Sequence, residues 1–230
     1  AEEYNEYKDL SNAELSTQQE EKSPIVSEVV SERDAFKKVF EREDGSFTAI
    51  ISSGPVHYFE DGEWLEIDNT LTETNGTITN ESNGFSVDLP SEITSDKNVT
   101  IATENAELSF TMENISSSAA EITEVEPVDD ETSLMMGLDN IASSVEYTSV
   151  MTNTDLVYDI SADSVKESII LSSCPSQATD YSYTINSNGA TLYLNEDNSI
   201  NVVNNGQIEF VIEAPYMFDS NGISTDDIDV

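Results

Sequence analysis

The chain has 230 residues, 47 of them acidic and 8 basic, for a formal net charge of −39. Such a surface repels nucleic acid and anionic membranes, because holding a polyanion needs a basic stripe. A hydrophobic share of 37% is enough for one large domain or two small ones. The acidity has four readings: a solvated, aggregation-resistant surface, divalent-cation binding, a basic partner, or adaptation to high salt.

Residues 1–23 are rich in Glu, Gln, Asn and Ser, with a weak helical spacing of Tyr4, Tyr7 and Leu15; they read as a flexible leader, or alternatively a helical one, with too little apolar surface to offset ordering. Starting at Ala1-Glu2-Glu3 without an apolar leader fits a mature secreted chain, or equally an excised piece. From Ile25 to Phe40 the apolar positions are Ile25, Val26, Val29, Val30, Phe36, Val39 and Phe40, which suit an amphipathic helix or an irregular strand. Asp44-Gly45 and Asp61-Gly62 then each separate two apolar runs, Val39-Phe40 from Phe47–Ile51 and Val56–Phe59 from Trp64–Ile67. Asp-Gly supplies the positive φ of tight hairpins, so two consecutive hairpins are predicted, divided at Gly54-Pro55.

Asn75-Gly76 and Asn83-Gly84 bracket a further pair of strands, and Val99–Thr103 and Leu108–Met112 continue the series. The stretch 116–133 interrupts it with Ser116-Ser117-Ser118, then Glu121, Glu124, Glu126, Pro127, Asp129, Asp130 and Glu131. Val145–Thr148, Leu156–Ile160, Ser168–Ser172, Tyr181–Ile185, Ala190–Leu194, Ser199–Val203 and Gln207–Ile212 resume at meander spacing, with turns at Asn188-Gly189, Asn195–Asn198 and Asn204-Asn205-Gly206. The fold expected is all-β: an antiparallel β-sandwich or meander-type sheets. A first β half over 24–115, an acidic loop or boundary over 116–133 and a second β half over 134–230 are read as two subdomains or as one domain. No run approaches the ~20 apolar residues that span a bilayer.

Few residues suggest chemistry. Cys174 is alone and reads as a small buried hydrophobe, and His57 is the only histidine, so neither a disulfide nor a His/Cys zinc cluster is offered. Glu63 and Glu66 beside Trp64 have the residue types of a glycosidase pair but read as polar positions of an exposed hairpin. Tyr58 and Trp64 are candidates for an aromatic sugar platform. Trp64 is nevertheless placed in the core, through a bulge that buries it together with Ile67. For calcium the candidates are Asp219, Asn221 and Asp226, with Glu196-Asp197-Asn198 behind them, although neither has full EF-hand spacing and both suit plain turns. No other cofactor is expected. Lys166 and Glu167, adjacent on a strand, face opposite ways and read as solvated neighbours rather than an isopeptide pair.

Asp44-Gly45-Ser46-Phe47-Thr48-Ala49, Gly54-Pro55-Val56-His57-Tyr58, Trp64 and Ile67-Asp68-Asn69-Thr70-Leu71 occur in that order, followed by Asn83-Gly84-Phe85-Ser86-Val87. Asn153–Tyr158, Val165–Leu171 and Ala214–Gly222 complete the set, which runs from about residue 44 to 222. This series resembles the N-terminal domain of secreted Rhs/YD-repeat, cell-wall-associated proteins of Gram-positive bacteria. The resemblance implies a β-rich, non-catalytic structural or interaction module of a secreted cell-surface polypeptide. Its partners would be other domains of the same or a neighbouring surface polypeptide, and cell-wall glycan. The alternative is a carbohydrate-binding or calcium-assisted adhesive β-sandwich. An enzyme is not expected.

Overall fold

The computed structural model describes residues 23–123, 130–177, 179–226 and 228. The leader predicted over 1–23 therefore lies outside the described residues except for Ser23. Among the described residues only one α-helix occurs, the six-residue α1 (Glu131–Met136), capped at its start by Asp130. Everything else regular is antiparallel strand or a short 3₁₀ turn.

The segment left open between helix and strand is extended. β1 (Ile25–Glu28), β2 (Lys37–Arg42) and β3 (Phe47–Ile51) form a three-stranded sheet in that order, with a 3₁₀ turn at Val30–Glu32 between the first two. β4 (His57–Glu60) and β5 (Glu63–Glu66) form the hairpin predicted around Asp61-Gly62. Both turn residues have positive φ, 50° and 89°, the backbone a two-residue type I′ hairpin requires. The same pair of signs recurs at Asn75-Gly76, Asn188-Gly189 and Asn205-Gly206. Asn83-Gly84 differs, because neither residue has positive φ and Asn83 serves through its side-chain amide.

The remaining strands build a sandwich. Before the acidic stretch come β6 (Asp68–Thr74), β7 (Thr77–Ser82), β8 (Ser86–Pro90), β9 (Glu92–Ile93), β10 (Val99–Ala102) and β11 (Glu107–Met112). After them come β12 (Ser118–Thr123), β13 (Ser143–Met151), β14 (Thr154–Ile160), β15 (Val165–Leu171) and β16 (Tyr183–Asn186). One sheet has the order β16-β11-β10-β8-β7-β6 and the other β15-β14-β13-β12-β9. Their facing positions alternate inward along each strand, and Ile78, Val87, Leu89, Val99 and Met112 of the first sheet close over Ile93, Val145, Tyr147, Leu156, Tyr158 and Ile160 of the second.

The two predicted halves do not separate. β16 of the second half completes the sheet of the first, β9 of the first half completes the sheet of the second, and β12 grows out of the stretch read as a boundary loop. Covering a sheet face needs a partner sheet, and here each half supplies part of the other's cover. The C-terminal part adds β17 (Thr191–Leu194), β18 (Ile200–Asn204) and β19 (Gln207–Ile212) as a three-stranded meander, then the small hairpin β20 (Met217–Phe218) and β21 (Ser224–Thr225). Among the described residues no helix is long and apolar enough to cross a membrane.

Candidate functional site

Four of the chain's eight bases, Arg33, Lys37, Lys38 and Arg42, fall within ten residues of sequence. Alternation along β2 turns Lys38 inward beside Phe40, leaving it only 3% exposed. The β4–β5 register sets His57 opposite Glu66 and Phe59 opposite Trp64. Directly opposed residues share a face, so the imidazole and the Glu66 carboxylate lie side by side under the first sheet.

The cluster is closed by Arg33. Its Nε and Nη2 donate to Glu28 Oε1 and Oε2 at 2.6 and 2.8 Å, and Nη2 also reaches Glu66 Oε1 at 2.8 Å. Lys38 Nζ donates to the same Glu66 oxygen at 3.0 Å. Two carboxylates thus face two cations, which is how a charge set can be withdrawn from water without a large uncompensated cost. Burial alone would raise the Glu28 carboxyl, but the hydrogen bonds and charge of Arg33, with Lys38 beyond, hold it below its usual value. The bond to Glu28 raises Arg33 in turn.

His57 is 2% exposed. Its Nδ1 sits 2.7 Å from the Asp34 carbonyl oxygen, which can only accept, so the proton is on Nδ1 and the lone pair on Nε2. Nε2 is buried and has no hydrogen-bond partner among the described residues. Burial pushes the imidazole below its usual value; the Asp34 bond works against this, and the charges of Arg33 and Lys38 add to it. At neutral pH the ring is neutral. A ring nitrogen of His57 and one carboxylate oxygen each of Glu28 and Glu66 lie within 4.8 Å of one another.

A second polar site lies inside the sandwich. Tyr158 and Glu167 are directly opposed on β14 and β15, and the Tyr158 hydroxyl donates to Glu167 Oε1 at 2.5 Å. Burial raises the Glu167 carboxyl, against the lowering effect of the hydrogen bond from Tyr158. Its chain neighbour Lys166 points the other way and stands 5.9 Å from the centre of the Tyr216 ring, the opposite facing expected of adjacent strand residues.

The residues singled out from sequence fare differently. Trp64 is half-buried rather than in the core, packed edge to face on Phe59, while Ile67 is buried. No bulge brings the two to one side; simple strand parity prevails, and the indole shares the face of His57 and Glu66. Tyr58 looks the other way and its hydroxyl is 2.9 Å from Ser82 Oγ, so the two proposed platform residues lie on opposite faces of the hairpin. Glu63 is exposed at the turn. Cys174 is exposed, not buried, because it falls in the irregular stretch between β15 and β16 rather than on a strand.

Both calcium candidates are turns whose acids serve their own backbone. Asp219 Oδ1 accepts from the Asn221 and Ile223 amides at 2.9 and 3.0 Å, and Asp226 is exposed beyond the turn. Asp197 Oδ1 accepts from Ser199 N and Oγ. Sequence reasoning missed Glu28, Arg33 and Lys38, although the crowding of bases into 33–42 beside a lone histidine was a usable signal. No family model, curated protein or solved structure matches the chain.

Proposed function

We propose that the chain is a non-catalytic structural and interaction module of a secreted surface polypeptide, and that its C-terminal sheet docks on a further β domain of that polypeptide. The supporting observation is the contrast between a closed sandwich core and an open C-terminal region. Tyr193, Leu194, Ile208, Val211, Tyr216, Met217, Phe218 and Ile223 are all exposed, with Leu194 at 61% and Phe218 at 64%. Among the described residues β17 and β19 are also both edges of their sheet, so each leaves there a row of backbone donors and acceptors without a strand neighbour. An apolar surface of this kind with two open edges suits continuation of a sheet by another chain segment. The ordered resemblance to the leading domain of Rhs/YD-repeat proteins gives the same reading, as does a surface charge that suits an exposed, dispersed location.

The test is hydrogen exchange on the chain alone and on the polypeptide encoded around it. The expected result is fast exchange over 191–212 alone, and protection there when the neighbouring domain is joined. A coding sequence that supplies no further domain, or an added domain that leaves that exchange unchanged, removes the reading.

A carbohydrate-binding role is the second reading, favoured by one observation: Phe59 is 60% exposed and packs on Trp64, giving the hairpin an aromatic outer face. A glycan array decides it. Binding that Phe59→Ala abolishes without lowering the melting temperature would place the sugar there.

A further inference from the structure

We propose that Glu28, His57 and Glu66 form a binding site for a first-row divalent metal ion, for which zinc is the probe. The inference is independent of the docking role. It rests on a His57 ring nitrogen and one oxygen each of Glu28 and Glu66 lying within 4.8 Å of one another, and separately on His57 Nε2 having no hydrogen-bond partner among the described residues.

A polar atom with no partner in a nearly sealed setting is a cost that folded proteins rarely leave in place. Here the atom carries a lone pair, since the Asp34 carbonyl holds the proton on Nδ1. A ligating histidine is oriented in the same way, its other nitrogen donating to a carbonyl that fixes tautomer and ring. The two carboxylates complete a set of one nitrogen and two oxygen ligands, with a fourth position left for water. The imidazole favours zinc and its first-row neighbours over calcium and magnesium, which take oxygen.

Zinc bonds of ~2.0–2.1 Å put tetrahedral donors about 3.3 Å apart, so the set must contract from its present spacing. Glu66 is the residue free to move: its side chain is 49% exposed and its Oε2 has no hydrogen bond among the described residues, both Arg33 and Lys38 using Oε1. It also gives the ion a path from solvent. Gly137, at positive φ after α1, borders this opening; a Cβ there would stand 3.9 Å from Glu66 Oε2.

Arg33 and Lys38 compete with the ion for the same carboxylates, and this makes the site distinguishable from the acidic surface. Removing the Lys38 charge leaves all three ligands and takes away one of the two cations that hold Glu66 Oε1, so Lys38→Met should tighten zinc binding by about tenfold or more, the size that changes around a metal's ligands reach. Surface carboxylates would be indifferent to it.

Because the chain has one histidine, its imidazole nitrogen resonances need no assignment. Zinc is titrated into the ¹⁵N-labelled full chain in a large excess of magnesium, which saturates plain carboxylate sites. The expected result is a saturable change at Nε2 complete at one equivalent, tightened in Lys38→Met and weakened about tenfold or more in Glu28→Gln. An imidazole that stays unmoved while zinc binds elsewhere overturns the proposal, as does a Lys38→Met affinity equal to the parent's. The wild-type titration stands even where a variant fails to fold.

Discussion

Asn69 is fully buried at the junction between the first hairpins and the sandwich, and its removal should be among the costliest polar substitutions in the chain. Its Nδ2 donates to the carbonyls of Ile141 and Ser161 at 2.8 and 2.9 Å, while its Oδ1 accepts from Asn80 and Asn83, both at 3.1 Å. Every hydrogen-bonding position of the amide is used. In Asn69→Ala, Asn80 keeps Phe85 O and Asn83 keeps Ser161 O, so the loss falls on the two bonds that Asn69 donates. Those are worth ~1 kcal/mol each, and the Ile141 carbonyl left without its donor adds ~1–3 kcal/mol. The sum is about 3–5 kcal/mol. For a chain of this size that lowers the melting temperature by about 10 °C. Asn69→Asp should be worse at neutral pH, because a carboxylate oxygen then meets two carbonyl oxygens, and it should recover partly on acidification. Urea unfolding followed by far-ultraviolet circular dichroism and by Trp64 fluorescence measures both variants, and coincident transitions would show hairpin and sandwich unfolding together. A melting point for Asn69→Asp within about 2 °C of the parent refutes the argument.

Glu167 carries its proton more tightly when folded, so its contribution is fully present below the usual carboxyl value and lost as pH rises through the raised one. Glu167→Gln should therefore raise the melting temperature at pH 7 and leave it unchanged in acid; a lower melting point at pH 7 would contradict this. Glu28 has the opposite sign, its stabilisation present above the usual carboxyl value and lost as pH falls through the lowered one. Arg33→Met strands that carboxylate and should cost about 3 kcal/mol at pH 7 by urea titration, the cost shrinking in acid. Trp64→Ala should cost only ~2 kcal/mol, about half the core value, with the circular dichroism spectrum retained; outright unfolding would restore a core role. Sodium chloride should raise the melting temperature by screening the net charge of −39, with calcium adding nothing beyond ionic strength. A saturable shift at low calcium would instead establish a site at Asp219, Asn221 and Asp226.

The local code was legible. Asp61-Gly62, Asn75-Gly76, Asn188-Gly189 and Asn205-Gly206 each make the turn their residues demand, because a positive φ is a property of two or three residues and needs no distant partner. Period-two alternation likewise gave the all-β class and most of the strands, but not β12, which lies in the stretch read as a loop or boundary, nor β1 and β2, whose segment suits a helix as well as a strand. The pairing of β9 with β12 and of β11 with β16 was not legible, since a strand's sequence says which face is apolar but not which edge will receive it. The same limit hid the charge cluster. Glu28, His57 and Glu66 are scattered over 39 positions of sequence, and only the β1–β2 sheet folding onto the β4–β5 hairpin brings them together. Asn69 shows the two levels in one residue: its place in the Ile67–Leu71 block was visible, but its four partners come from 11 to 92 positions away, and only tertiary packing makes a polar residue there a stabilising one.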